Sequence, residues 1–294
     1  MKRVIFSVLA TAAVGLFAAP SLAQTANASA SAAPSAVNRS GAPVDVQNII
    51  RTFGQKESEV RKALSEYSFK RDATIQTIAF GGQISGEYRR VSRFLIDEQG
   101  HRMEKIVFFP IPTLSEITIT PEDLEDLGGV NLFALEASKL NEYDFSYVGK
   151  EKIDDLNLHV FDVTPKILSD QARLKALKKA KKPERFFQGR IWVDDQDLQI
   201  VKARGKGVPE TDKARFPTFE TYREQIDGKY WFPTYTYADD TLTFKSGQIV
   251  HLRMRIKFTD FERLRGKASV IEQGDELKDK TEDPDKPTPP KSKP

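Results

Sequence analysis

Apolar and polar residues alternate most regularly toward the carboxyl end of the chain. Five apolar side chains occupy every second position there, and polar or charged side chains fill the positions between them. Because successive side chains of a β-strand point to opposite faces, this pattern predicts a strand with one apolar and one solvated face. The apolar set is Val250, Leu252, Met254, Ile256 and Phe258, and the polar set is His251, Arg253, Arg255 and Lys257.

Shorter stretches of the same alternation, separated by turn residues, predict further strands. Asp227-Gly228 is a strong hairpin signal, since both residue types accommodate positive φ, and Gly81-Gly82 interrupts another apolar stretch. Ile191 and Val193 share one face of their predicted strand. The predicted strands are residues 69–80, 86–96, 101–109, 143–150, 158–164, 186–194, 199–205, 219–225, 230–237 and 248–261.

Helical spacing occurs mainly before the first strand. Apolar residues from Val46 to Leu64 recur at helical intervals, with Asp45 as the predicted N-cap. Residues 120–128 carry a short helix signature, with Thr120 at the cap, proline at the first helical position and glycine after the end. Residues 132–140 and 166–182 are further candidate helical segments.

Strands that follow one another without intervening helices predict antiparallel pairing, since parallel pairing needs long crossovers. The sequence therefore predicts a mainly β (α+β) fold, a single curved antiparallel half-barrel sheet capped by a few helices. The apolar face of such a sheet must be covered. With so few helices to cover it, two arrangements stay open: a fully packed core, or a cavity for an apolar ligand.

The ends of the chain differ in composition from its middle. Residues 1–23 combine a basic start, an apolar run and a small-residue cleavage site, which predicts a signal peptide; a membrane anchor is the alternative. Residues 24–43 are rich in Ala, Ser and Pro and predict a flexible linker. Residues 44–264 form the predicted half-barrel domain, and residues 265–294 a charged, proline-rich tail expected to be disordered. We expect a periplasmic protein.

The net charge and the reactive residue types limit the classes of function that the chain can have. A formal net charge of +3 gives no global electrostatic argument for nucleic-acid binding, and the absence of cysteine excludes disulfides. The three histidines lie on separate predicted strands, so no metal site is expected. The carboxylate pairs at 154–155, 194–195 and 239–240 resemble turn residues. No nucleophile motif or phosphate-binding glycine loop is present. We therefore expect neither enzyme activity nor a cofactor.

A cluster of basic residues marks the segment between the fifth and sixth predicted strands. It predicts either contact with anionic lipid headgroups or an acidic partner, or simply a solvated surface. Its lysines are Lys175, Lys178, Lys179, Lys181 and Lys182.

Three segments resemble a known family. They are Gly189-Arg-Ile-Trp-Val-Asp194, Leu198-Gln-Ile-Val201 after a polar turn, and the Asp-Gly hairpin that leads into Tyr230-Trp-Phe-Pro233. Together they resemble the periplasmic LolA/LolB-like and RseB-like proteins, which include outer-membrane lipoprotein-sorting proteins. The resemblance implies a half-barrel whose hydrophobic cavity takes acyl chains. It also implies a lid arginine, for which Arg71, Arg90 and Arg93 are candidates.

The pattern and the resemblance lead to two hypotheses. The first is an exported carrier that binds a lipid or the acyl chains of a lipoprotein in its cavity. The second is a non-enzymatic interaction or structural module with a filled core. For the first, the expected cavity residues are Phe94, Ile96, Ile191, Val193, Val250, Leu252, Met254, Ile256 and Phe258, with Phe108 and Phe109 at the mouth.

Overall fold

The computed structural model describes residues 44–97, 101–120, 123, 126, 133–180, 183–212 and 214–264. The predicted signal peptide, linker and tail lie outside these residues. So does most of the predicted helix at 120–128.

Ten strands form one antiparallel sheet in the order β3-β2-β1-β10-β9-β8-β7-β6-β5-β4. Within the described residues β3 and β4 each pair with one neighbour, so the sheet stays open and the predicted mainly β half-barrel is confirmed. The first strand lies beside the last. The strands are β1 Tyr67–Ile78, β2 Ile84–Ile96, β3 Arg102–Phe108, β4 Tyr143–Ile153, β5 Leu156–Pro165, β6 Phe186–Asp194, β7 Ile200–Val208, β8 Phe219–Ile226, β9 Tyr230–Thr243 and β10 Ile249–Arg263.

Four helical segments accompany the sheet in the described part of the chain. The helices α1 and α2 span Val46–Leu64 and Gln171–Lys179, and two 3-10 helices span Ala137–Glu142 and Lys166–Leu168. The predicted N-cap of α1 is confirmed, because the Asp45 side chain accepts a hydrogen bond of 3.0 Å from the Asn48 backbone N–H.

The helix α1 covers part of the inner face of the sheet. Its Phe53 ring is fully buried and lies 6.0 Å from the Phe161 ring of β5. Behind Phe53, Gly54 lies so close to the first 3-10 helix that an added Cβ would be 2.3 Å from Leu140 Cδ1. A glycine in the middle of a helix weakens it, and here the absence of a side chain allows this close approach.

An ion pair also joins α1 to the sheet. Both Glu57 carboxylate oxygens accept from the Arg223 guanidinium of β8, at 2.6 and 2.9 Å. The two side chains are only 1% and 5% exposed, so the pair lies inside the core.

A second, smaller apolar cluster lies on the outer face of the sheet. Trp192 of β6 packs there with Leu158, Val160 and Val201. Its indole N–H donates to Glu151 at 2.8 Å, which satisfies the polar edge of the ring. Both faces of β6 are therefore covered, and only its inner face belongs to the main core.

Candidate functional site

A cavity of about 650 Å³ lies on the inner face of the sheet, beside the region covered by α1. Its walls come from β1, β9, β10, the β9–β10 turn, the loops before β4 and β8, and Arg185 before β6. Half of the twenty lining residues are apolar. The apolar lining consists of Ile75, Ile117, Ile119, Ala214, Phe216, Pro217, Leu242, Phe244, Leu252 and Met254.

The strands supply the floor of the cavity. Ile75 of β1 pairs with Met254 of β10, and Thr77 pairs with Leu252, so these inner-face side chains are adjacent. Leu242 of β9 extends the same surface. The alternation that predicts β10 thus also fixes which of its residues face the cavity.

Residues 109–120, which we call the covering segment, close one side of the cavity with Ile117 and Ile119. Thr113 holds the segment to β2: its backbone N–H donates to the Glu87 carbonyl, and its hydroxyl accepts from the Glu87 N–H, both at 2.9 Å. The Gln248 side chain donates to the Glu116 carbonyl at 3.0 Å. A few polar bonds therefore attach the segment to the sheet.

Charged side chains border the cavity at another side. Arg185 forms ion pairs with Asp123 at 3.0 Å and Asp126 at 3.4 Å, and its guanidinium lies 4.9 Å from the centre of the Phe216 ring. Arg215 pairs with Glu210 at 3.1 Å. These charges pair with one another, so the apolar lining is the main feature offered to a ligand.

The lining residues described by the structure include neither histidine nor cysteine. No group of three or more His, Cys, Asp or Glu is placed to hold a metal in the described part of the chain. His159 lies instead on β5, where its Nδ1 is 3.2 Å from the Tyr147 hydroxyl. Burial lowers the pKa of His159, and nearby Lys150 adds to the effect. Among the described lining residues the titratable acids are Glu116, Asp123 and Asp212, and none is an imidazole or a thiol.

The carboxylate pairs have local structural partners. Asp194 accepts hydrogen bonds from the backbone of Gln196 and Asp197, at 3.2 and 3.1 Å, and burial raises its pKa. Asp239 and Asp240 lie within β9 and not in a turn, contrary to the sequence prediction. Asp239 bonds Arg253 and His251 of the neighbouring strand.

Of the predicted cavity residues, the structure places Leu252 and Met254 in the cavity wall. The remaining inner-face residues lie elsewhere in the core or at its border. Phe94 stacks on Phe69 at 4.8 Å, away from the cavity lining. Ile191, Val193 and Val250 are fully buried, Ile256 and Phe258 nearly so, and Ile96 is half-buried.

The two predicted mouth residues occupy different surroundings. Phe108 is 47% exposed and lies beside Arg89 on the outer face of the sheet, 5.5 Å from its guanidinium to the ring centre. Phe109 is 45% exposed and packs against Tyr88, with ring centres 5.4 Å apart. Neither is among the described residues that line the cavity.

The candidate lid arginines divide between the two faces. Arg71 and Arg90 lie on the inner face and share Glu104, at 2.9 and 2.8 Å. Arg93 is exposed on the outer face.

The basic segment forms the helix α2. Leu174 and Leu177 pack toward the main core, whereas Lys175, Lys178 and Lys179 are exposed. Lys181 and Lys182 lie outside the described residues.

Sequence reasoning missed several lining residues. Leu242 falls beyond the predicted end of its strand, and Phe216 and Phe244 lie in connecting segments. Ile117 and Ile119 belong to the covering segment, where they alternate with Thr118 and Thr120 but lie outside every predicted strand. Ile75 lies in a predicted strand, and its position opposite Met254 identifies it only once the two strands are known to pair.

Several solved structures are similar to this chain at low sequence identity. The sequence matches no protein-family model and no curated protein sequence. The chain is similar to a DUF1329 family protein from Desulfovibrio piger, with a TM-score of 0.34 and 13% identity over 74% of this chain and 92% of that one. It is also similar to a LolA superfamily protein from Nitrosomonas europaea, with a TM-score of 0.31 and 16% identity over 72% and 94%.

A third similar structure is an outer membrane lipoprotein-sorting protein domain from Vibrio parahaemolyticus. Its TM-score is 0.31, with 11% identity over 74% of this chain and 94% of that one. The similar structures thus include one named as a LolA superfamily protein and one named as a lipoprotein-sorting protein domain. The choice of site rests on the cavity geometry alone.

The helices also bear on membrane insertion. In the part of the chain that the structure describes, none is both long and apolar enough to cross a bilayer.

Proposed function

We propose that this protein is an exported, non-enzymatic carrier that binds a lipid or the acyl chains of a lipoprotein in the cavity. The observation that supports the proposal is the void of about 650 Å³ beneath the covering segment, whose floor on β1, β9 and β10 is apolar. Its volume falls within the roughly 300–1,000 Å³ typical of small-molecule sites. Desolvating a hydrocarbon chain supplies the binding energy, at ~0.8 kcal/mol for each buried CH2 group.

The proposed compartment is the periplasm, and the proposed cargo route leads toward the outer membrane. The support for export is the three-part pattern of residues 1–23, which combines a basic start, an apolar run and small residues at a cleavage site. Cell fractionation with amino-terminal sequencing of the mature protein tests this part separately.

The decisive test of the carrier proposal is to fill the cavity. Met254→Trp places a larger apolar side chain into existing space, so the fold should tolerate it while binding of a fluorescent fatty acyl compound is lost. In a filled core, the same substitution would overpack and cost ~1–3 kcal/mol of stability. Arg255→Gln, on the opposite face of the same strand, is the matched control and should bind like the parent.

A second measurement identifies the natural ligand. Organic extraction of protein purified from its native envelope, followed by mass spectrometry, should recover a stoichiometric lipid or acylated polypeptide. Recovery of none, together with no fatty acyl binding by the parent protein, contradicts the carrier proposal.

The alternative is an interaction or structural module. It is favoured by the filled part of the inner face, where Phe53, Ile191 and Val193 show no exposure. Under this alternative the parent protein would bind no acyl compound and Met254→Trp would destabilise the fold.

The proposal includes contact between α2 and an anionic membrane through Lys175, Lys178, Lys179, Lys181 and Lys182. The exposed lysines support it, since each cation near an anionic surface contributes about 1 kcal/mol. Neutralising Lys175, Lys178 and Lys179 to Gln should weaken binding to vesicles that contain phosphatidylglycerol. Unchanged binding contradicts this part alone.

A further inference from the structure

Three cations from three neighbouring strands lie side by side on the outer face of the sheet. Lys70 of β1 is directly opposite Arg93 of β2, and Arg93 is directly opposite Lys105 of β3. Residues paired in this way have Cβ atoms about 5 Å apart and share one face. We call Lys70, Arg93 and Lys105 the basic row.

Within the described residues, no ion pair compensates the charges of the basic row. Elsewhere on the same face Arg89 pairs with Asp72 at 3.0 Å, and Arg253 pairs with Asp239 at 2.9 Å. No such ion pair to Lys70, Arg93 or Lys105 occurs within the described residues. Like charges directly opposite one another destabilise a sheet, so the row opposes folding.

Protection of a sheet edge explains only part of this arrangement. A lysine on an edge strand discourages pairing with other chains, which accounts for Lys105 on β3. Arg93 and Lys70 lie one and two strands further in, where their strands are paired on both sides. Their positions require another explanation.

Exposed apolar side chains lie beside the row on the same face. Met103 is opposite Leu95 and is 43% exposed, and Phe108 is opposite Val91 and is 47% exposed. Binding of an acidic polypeptide would require the cations but not the exposed apolar side chains. Cations together with exposed apolar side chains are the combination that binds the interface of an anionic bilayer.

We propose that the basic row, with Met103 and Phe108, is a surface that docks the protein on an anionic lipid membrane. The phosphates of the headgroups compensate the three cations, and the two apolar side chains enter the interfacial layer. This surface is separate from the cavity and from α2, so the proposal stands whether or not the cavity binds a lipid.

The test is co-sedimentation of the full chain with phosphatidylcholine vesicles, with and without phosphatidylglycerol. Each of Lys70→Gln, Arg93→Gln and Lys105→Gln should weaken binding to the anionic vesicles about fivefold, and the triple variant about a hundredfold. The matched control carries Lys62→Gln, Lys152→Gln and Lys229→Gln, three exposed lysines elsewhere, and should bind like the parent.

A loss of vesicle binding in these variants can be distinguished from a loss of folding. Removing opposed like charges should leave the melting temperature unchanged or raise it, so a loss of binding cannot come from unfolding. Met254→Trp, which fills the cavity, should bind vesicles like the parent. Loss of vesicle binding in that variant would tie membrane docking to the cavity and overturn the proposal of a separate surface.

Two other outcomes overturn the proposal. One is that the row triple variant binds anionic vesicles as the parent does, or that the control triple loses as much. The other is that the parent does not bind vesicles but binds polyglutamate through the basic row. That result would make the row a binding site for an acidic polypeptide. Met103→Ser with Phe108→Ser should weaken vesicle binding while leaving its salt dependence unchanged; no weakening overturns the apolar part.

Discussion

The ion pair between Glu57 and Arg223 places two charges inside the core, where their interaction is strong only while both are present. Replacing Glu57 by Ala leaves the Arg223 charge in a low-dielectric environment without this carboxylate. We expect a loss of about 3–5 kcal/mol in the free energy of unfolding, measured by urea denaturation.

Glu59 provides the comparison for Glu57 on the same helix. It pairs with Lys56 at 2.9 Å on the solvated face, so Glu59→Ala should cost about 0–1 kcal/mol. A similar cost for both substitutions would show that the buried pair has no special role. Replacing Glu57 and Arg223 together by Met should recover much of the loss.

His159 makes the stability of the fold depend on pH. Burial lowers its pKa in the folded state below the unfolded value of about 6.5, so the unfolded chain binds more protons between the two values. Stability contributed by neutral His159 is therefore present above pH ~6.5 and is lost as pH falls through the folded pKa.

The measurement is the melting temperature of the parent and of His159→Gln from pH 8 to pH 5. The parent should lose more stability over this interval than the variant does, since glutamine does not titrate. Parallel curves would mean that His159 does not contribute to the pH dependence.

At the scale of elements, the contact of α1 with the first 3-10 helix depends on Gly54. In an exposed helix, Gly→Ala stabilises by about 1 kcal/mol. Here the added Cβ would meet Leu140 at 2.3 Å, so we expect Gly54→Ala to destabilise the fold by about 1–3 kcal/mol. Leu140→Ala in the same chain should restore part of the loss, and an increase in stability from Gly54→Ala alone would contradict the close packing.

The elements themselves follow from local patterns, but some of their limits do not. The predicted strand at 186–194 coincides with β6, because alternation and flanking turns agree there. The strand β9 continues to Thr243, beyond the predicted end at Tyr237, since Asp239 finds partners on β10. Tertiary contacts of this kind override the low strand propensity of aspartate.

The cavity depends on contacts that a local pattern cannot show. Alternation places Leu252 and Met254 on the inner face, and the structure puts both in the cavity wall. The helix α1 and the covering segment decide which part of the inner face stays open. The short alternation at 117–120 does not show where the covering segment lies over the sheet. The basic row likewise becomes visible only through the register of three strands.

For the whole molecule, β10 joins two groups of strands, because it lies between β1 and β9. Ending the chain before Ile249 should leave β1–β3 without their connection to the rest of the sheet and abolish cooperative thermal unfolding. Ending it after Leu264 removes only the predicted tail and should leave the melting temperature unchanged. A cooperative transition in the shorter chain would show that the two groups of strands fold separately.

The adjacency of the first and last strands also sets an order of events during biosynthesis. A ribosome releases β1 early, yet its partner on one side emerges only when nearly the entire domain has been translated. Until then no complete sheet can form. Placing the joining strand last thus delays completion of the sheet until synthesis is almost finished, a delay that would favour the proposed export of an unfolded chain.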